Sequence, residues 1–104
     1  MDSKVLLKYT DDVARIELIG RIDAVNAQTL AEVLLHLTDR PPGKIVFEVK
    51  DLEYISSAGL RAIIFAKARV GKDVHVSIVA PQPMVLDVIR MSGLDTLVTI
   101  EDNG

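Results

Sequence analysis

The order of apolar and polar residues predicts β-strands in five short stretches of the chain, at 4–9, 13–21, 44–50, 74–79 and 97–100. Apolar residues alternate with polar or charged ones in the middle three, so each of these strands has one buried face. A short polar segment separates the first two stretches, which are therefore predicted to form an antiparallel hairpin. Gly20 interrupts the alternation and predicts a bulge or a close backbone approach.

Helical periodicity marks three further stretches of the sequence. The first helix begins near Asn26, and either Asp23 or Asn26 can cap it. Its apolar stripe consists of Leu30, Val33, Leu34 and Leu37. The second helix runs from Leu60 to Gly71 and the third covers 84–91, so the predicted order of elements is β-β-α-β-α-β-α-β.

Strands that alternate with helices form a mostly parallel sheet through right-handed crossovers. A sheet covered by helices on both faces needs strands that are apolar throughout, whereas these strands keep polar residues on one side. Those residues are Arg15, Glu17, Glu48, His75 and Ser77. The sequence thus predicts an α/β fold with a single, mostly parallel β-sheet, an N-terminal antiparallel hairpin and helices on one face. The length of 104 residues suits one domain, which we assign to 1–104.

Composition and charge exclude several classes of protein. Apolar residues make up 49% of the chain and charged residues 26%, the balance of a globular domain. The formal net charge of −3 does not supply the basic field that nucleic-acid binding needs. No apolar stretch approaches the roughly 20 residues of a membrane span, and residues 1–4 lack the apolar core of a signal peptide. We therefore expect a cytoplasmic monomer with neither a nucleic-acid nor a membrane partner.

Two adjacent serines, Ser56 and Ser57, lie where a strand is followed by a helix. Free N–H groups at a helix start attract anions, and either serine fits the common role of a helix cap. A catalytic serine on a nucleophile elbow needs a glycine two residues earlier, where Ile55 stands before Ser57. The two histidines, His36 and His75, are far apart in the sequence, and there is no cysteine. We predict no catalytic residue, no metal site and no cofactor.

Three blocks of sequence occur in the order and spacing of a known family: GRIDAVNA at 20–27, YISSAGLR at 54–61 and MSGLD at 91–95. On these blocks the chain resembles the STAS-domain anti-sigma factor antagonists of bacteria over essentially its whole length. The serine-serine-alanine-glycine-leucine part of the second block is the most specific. The resemblance implies the STAS fold, in which the helices lie on one side of the sheet.

The resemblance also implies a partner switch. In such systems the unphosphorylated antagonist binds an anti-sigma factor, which is also a serine kinase with a histidine-kinase-like fold, and the sigma factor is freed. The kinase uses ATP and Mg²⁺ to phosphorylate one serine of the antagonist, the complex falls apart, and a PP2C-type phosphatase restores the antagonist. Matching the motif position by position makes Ser57 the phosphoacceptor, with Ser56 as the alternative. Asp23 matches a family acid that lies near the acceptor.

The partner-binding residues that the resemblance implies are Asp23, Asn26, Ser56, Ser57, Ala58, Gly59 and Arg61. The best-known form of the family motif reads aspartate-serine-serine or -threonine-glycine. Ser56 replaces its aspartate here and Ala58 its second hydroxyl residue. Some members with this form control processes other than transcription, so the output of the switch is open.

Two other classes of function are compatible with parts of the sequence to different degrees. A STAS module can be a structural subunit of a membrane transporter complex that is never phosphorylated, with apolar residues of the third helix such as Leu86 as a permanent interface. A small-ligand binder or phosphotransfer enzyme that uses the Ser57 helix start is disfavoured, because the sequence has no lysine-bearing phosphate loop and no evident base.

Overall fold

Six strands and three helices form the described part of the chain, residues 3–102, in a computed structural model. The strands are β1 (Lys4–Thr10), β2 (Val13–Ile22), β3 (Lys44–Glu48), β4 (Leu52–Ile55), β5 (His75–Val79) and β6 (Thr99–Glu101). The helices are α1 (Asn26–Asp39), α2 (Ser57–Val70) and α3 (Pro83–Ser92), and a 3-10 turn covers Leu94–Thr96. The predicted domain also includes residues 1, 2, 103 and 104, which lie outside the described part.

The sheet is mixed, as the sequence predicts. β1 is antiparallel to β2, and every other pair of neighbouring strands is parallel. The strands add in the order β1-β2-β3-β5-β6, while β4 pairs with the far end of β2. β2 therefore has two different partners on one of its edges, β3 along its first half and β4 along its last residues.

An aliphatic core fills the space between the helices and one face of the sheet. Its strand residues include Ala14, Ile16, Leu18, Ile45, Phe47, Val76 and Ile78, and its helix residues include Leu30, Leu34, Ile63 and Ile89. Full burial of one such aliphatic side chain contributes about 1.5–3 kcal/mol to stability. This packing confirms that the helices cover one face.

The other face of the sheet is largely polar and carries an ion pair, in which Arg15 Nη1 lies 3.2 Å from Glu48 Oε1. Ser77 departs from the predicted pattern because it lies on this face and is nevertheless fully buried. It is the register partner of the buried Val46 on one side and of Thr99 on the other, because β5 lies between β3 and β6 in the sheet.

Several predicted boundaries are corrected by the structure. β4 is missing from the predicted order, because it has only four residues and its buried positions, Leu52 and Ile55, do not alternate. α2 begins at Ser57 and not at Leu60, since the residue before Ser57 acts as its cap. The last strand begins at Thr99 and not at residue 97, because the 3-10 turn occupies the preceding residues.

Candidate functional site

A β-bulge brings two of the three sequence blocks together. Gly20 has a φ of 81°, a left-handed value that glycine adopts without strain, and the register of β2 with β4 shifts between Gly20 and Arg21. The Gly20 N–H donates to Asp51 O at 2.9 Å, and the Ser56 N–H donates to Ile22 O at 2.8 Å. The loop that follows β2 therefore lies beside the first turn of α2.

The two adjacent serines have different roles at that turn. Ser56 is the N-cap of α2, and its Oγ accepts a hydrogen bond of 3.2 Å from the Gly59 N–H. Ser57 is the first residue of the helix and is exposed. The hydroxyl of Ser56 is thus used by the fold, while Ser57 is exposed beside the positive end of the helix dipole.

Gly59 lies where the backbone of α2 closely approaches side chains of β2 and β4. A Cβ atom at this position would stand 2.8 Å from Ile55 Cγ1 and 2.9 Å from Ile22 Cγ2. Gly59 is one of the predicted partner-binding residues, but it is buried. Its role in the structure is to allow the close packing of the first turn of α2. Ala58 is half-buried next to it.

Asp23 orders the neighbouring loop. Its Oδ1 accepts hydrogen bonds from the N–H groups of Val25 at 3.0 Å and Asn26 at 2.9 Å, so Asp23 fixes the turn that leads into α1, whose N-cap residue is Val25 and not Asp23 or Asn26. Asn26 in turn donates from Nδ2 to Arg21 O at 2.7 Å. Asp23 is exposed, which leaves its carboxylate within reach of a partner.

A pair of side chains on β2 and β4 was missed by the sequence analysis. Arg21 and Tyr54 are register partners, and the Arg21 guanidinium lies over the Tyr54 ring. Both residues belong to the blocks that suggested the family, but their contact depends on the short strand β4. The sequence offered one signal, an aromatic residue two positions before Ser56; its exposure is known from the structure.

The positive charge along α2 has two different uses. Lys67 donates from Nζ to Gly71 O and to Val74 O, both at 3.0 Å, and so satisfies carbonyls at the C-terminal end of the helix. Arg61, Arg69 and Lys72 are exposed. Lys67 is therefore structural, whereas Arg61 and Arg69 remain accessible near Ser57 and farther along the helix.

A shallow groove between the first two helices leads away from Ser57. We call it the α1/α2 groove and define it by Ala31 of α1 and by Ala58, Arg61, Ala62, Phe65 and Arg69 of α2. It consists of two adjoining hollows of about 320 and 140 Å³ that share Phe65. The groove was not predicted from the sequence, because it depends on the distance between two helices.

The apolar surface of α3 differs from the expectation. Leu86 is half-buried, since α3 turns this side toward the body of the domain. The exposed apolar residues of this helix are Met84, Val88 and Met91. No helix in residues 3–102 is long and apolar enough to cross a membrane.

The two histidines lie in separate parts of the fold. His36 on α1 and His75 on β5 are both exposed and belong to different elements. Within residues 3–102, no three His, Cys, Asp or Glu side chains converge as a metal site would require.

Comparison with known proteins identifies the family of this chain. The family model of the STAS domain matches residues 4–103. The anti-sigma-F factor antagonist RsfB of Mycobacterium tuberculosis is 26% identical over 83 residues, which cover 80% of this chain and 68% of RsfB.

Solved structures share the fold at low sequence identity. An anti-sigma factor antagonist from Mycobacterium paratuberculosis superposes with a TM-score of 0.86 and 24% identity over 96% of this chain and 86% of its own. The anti-sigma factor antagonist SpoIIAA in its unphosphorylated form gives a TM-score of 0.80 and 17% identity over 93% of this chain and 87% of its own. The phosphorylated form of SpoIIAA, from Bacillus, gives 0.74 and 16% identity over 93% and 90%.

Proposed function

The chain belongs to the STAS domain family, and we propose that it acts as an anti-sigma factor antagonist in a bacterial partner switch. Its unphosphorylated form binds an anti-sigma factor that is also an ATP-dependent serine kinase. Phosphorylation of Ser57 releases that partner, and a PP2C-type phosphatase restores the binding form. The chain itself is a kinase substrate and not an enzyme.

The observation that carries this proposal is the division of roles between the two serines. The Ser56 hydroxyl accepts the capping hydrogen bond from Gly59, whereas Ser57 is exposed at the helix start. A kinase can reach an exposed hydroxyl without breaking a contact of the fold. We therefore assign phosphorylation to Ser57 rather than to Ser56.

A phosphate on Ser57 changes the surface and leaves the helix intact. It adds about −1.5 to −2 charges at neutral pH. Those charges lie at the N-terminal end of α2, where the helix dipole tolerates them. The domain stays folded, while an interface built around an uncharged hydroxyl gains a charge that must be desolvated on binding.

The names of the relatives support the proposed partner switch. RsfB is named an anti-sigma-F factor antagonist, and SpoIIAA has been solved in unphosphorylated and phosphorylated forms. The exposed carboxylate of Asp23 lies in the loop that packs beside α2. We propose that Asp23, Asn26, Ala58 and Arg61 surround Ser57 in the partner interface.

The test is a pull-down from native lysate with wild-type and Ser57→Asp chains as baits, followed by mass spectrometry. We expect the wild type to hold a histidine-kinase-like ATPase and Ser57→Asp to lose it, while Ser57→Ala binds and resists release by ATP. Thr29→Asp is the matched control, because Thr29 is an exposed hydroxyl residue in the first turn of α1. Equal capture by the wild type and Ser57→Asp would reject the switch.

The second candidate is a constitutive STAS subunit of a membrane transporter complex. It is favoured by the exposed apolar residues Met84, Val88 and Met91, which lie on one side of α3. In that case both baits capture transporter subunits, and Met84→Glu loses them. The same pull-down therefore separates the two functions.

A further inference from the structure

Phe65 is the most exposed aromatic residue in the described chain, with 64% of its surface accessible. It borders the α1/α2 groove beside Ala31 and Ala62. Small side chains on facing helices leave room for the backbone of another segment to approach closely. A large aromatic side chain beside such a floor is typical of a protein-binding surface.

The charged residues that line this groove are both positive. Arg61 and Arg69 line it, and no carboxylate does. The two arginines stand four residues before and four residues after Phe65, so both lie one helical turn from the aromatic ring on the same side of α2. This local positive charge belongs to a chain whose net charge is −3.

We infer that the α1/α2 groove binds an acidic amphipathic helix of a protein partner. An apolar side chain of that helix packs against Phe65 between the alanines. Carboxylates one turn to either side of it pair with Arg61 and Arg69. A helix suits the groove because its own residues at four-residue spacing repeat the spacing of Arg61, Phe65 and Arg69 along α2.

The link from this groove to regulation rests on the proposed function. Ser57 lies four residues before Arg61, and both are exposed on one side of α2. A phosphate on Ser57 is therefore placed one turn from the Arg61 guanidinium and competes for it with the carboxylate of the partner. Phosphorylation weakens the Ser57 end of the groove and leaves the Phe65 contact in place.

The probe is a displayed peptide library with a helix-forming frame of about 16 residues, long enough to form an isolated helix. The library carries one apolar residue and randomised positions one turn before and after it, and it is selected on the wild-type chain. We expect acidic residues at both randomised positions. Phe65→Ala should weaken the selected peptides about thirtyfold, and Arg61→Gln or Arg69→Gln about three- to tenfold.

Two substitutions on α3 serve as matched controls. Met84→Ala removes another exposed apolar side chain, and Arg90→Gln removes an exposed charge. Both should leave peptide affinity within about twofold, because neither residue borders the groove. Circular dichroism of Phe65→Ala checks that the exposed substitution leaves the fold intact.

The inference is overturned if no peptide is enriched, if the randomised positions show no acidic preference, or if selected peptides bind Phe65→Ala as tightly as the wild type. Dependence on Met84 instead would assign peptide binding to α3. The lysate pull-down with Ser57→Asp uses a different partner and a different variant. A failed switch with an intact groove, or the reverse, is therefore recognisable.

Discussion

The guanidinium carbon of Arg21 lies 4.5 Å from the centroid of the Tyr54 ring, across the pairing of β2 with β4. The contact joins the last residues of β2 to the strand that leads into α2. Tyr54 is 40% exposed, and a cation–π contact at such a site is worth about 0.5–1 kcal/mol. The pair thus helps to hold together the two loops that meet at Ser57.

A double-mutant cycle measures this contact. Arg21→Gln and Tyr54→Leu should each lower the free energy of unfolding, and the double variant should lose about 0.5–1 kcal/mol less than the sum of the two, because the contact can be lost only once. Urea denaturation provides the measurement. Strict additivity would mean that the contact contributes nothing.

Substitution of the two serines should have different effects: loss of Ser56 should lower stability, and loss of Ser57 should remove the phosphorylation site. Ser56→Ala removes the cap of α2 and should lower the free energy of unfolding by about 1 kcal/mol, whereas Ser57→Ala should change it by less than about 0.5 kcal/mol. With the captured kinase and ATP, mass spectrometry should find phosphate on the Ser56→Ala chain at Ser57. The opposite pattern would make Ser57 the structural residue and Ser56 the acceptor.

Gly59→Ala should destabilise the chain although alanine is the better helix former. In a solvent-exposed helix, replacing glycine by alanine raises the free energy of unfolding by about 1 kcal/mol. Here the added methyl group meets Ile55 and Ile22 at less than 3.0 Å, and forcing atoms into a packed core costs about 1–3 kcal/mol. We expect a net loss of stability in thermal unfolding, and a raised midpoint would contradict the close approach.

Lys67→Met should cost more stability than Lys72→Met. The Lys67 ammonium group donates to two carbonyls, and each such bond from a charged group contributes about 1.5–3 kcal/mol when buried and less at this half-buried position. Lys72 is exposed, so its replacement should stay within about 0.5 kcal/mol. Equal midpoints of chemical denaturation for the two variants would show that the Lys67 contacts add no stability.

The main sheet could be predicted because the alternation of apolar and polar residues in its strands is a local feature of the sequence. Ala14, Ile16 and Leu18 are apolar at every second position, and this pattern alone places one face of β2 in the core. The strand β4 was missed because its existence depends on the bulge at Gly20, more than thirty residues earlier, and on pairing that no local pattern encodes.

The segment that forms the candidate site was predicted from the sequence, but the separate roles of its two serines were not. Ser56 and Ser57 both fit a helix start, and only the position of the first helical residue decides which hydroxyl is used as a cap. That position is set by the hydrogen bond from the Ser56 N–H to Ile22 O, a contact between distant segments. The exposed side of α3 was misjudged at Leu86 for a similar reason, since the sequence does not state which side the domain covers.

The change of partner along β2 has an evolutionary consequence. Residues before Gly20 are constrained by β1 and β3, whereas Arg21 and Ile22 are constrained by β4 and the loop that packs beside α2. Substitutions after the bulge can therefore alter the shape of the surface around Ser57 while the pairing of β2 with β3 is preserved. One strand can in this way belong to an unchanging scaffold in its first half and to a variable surface at its end.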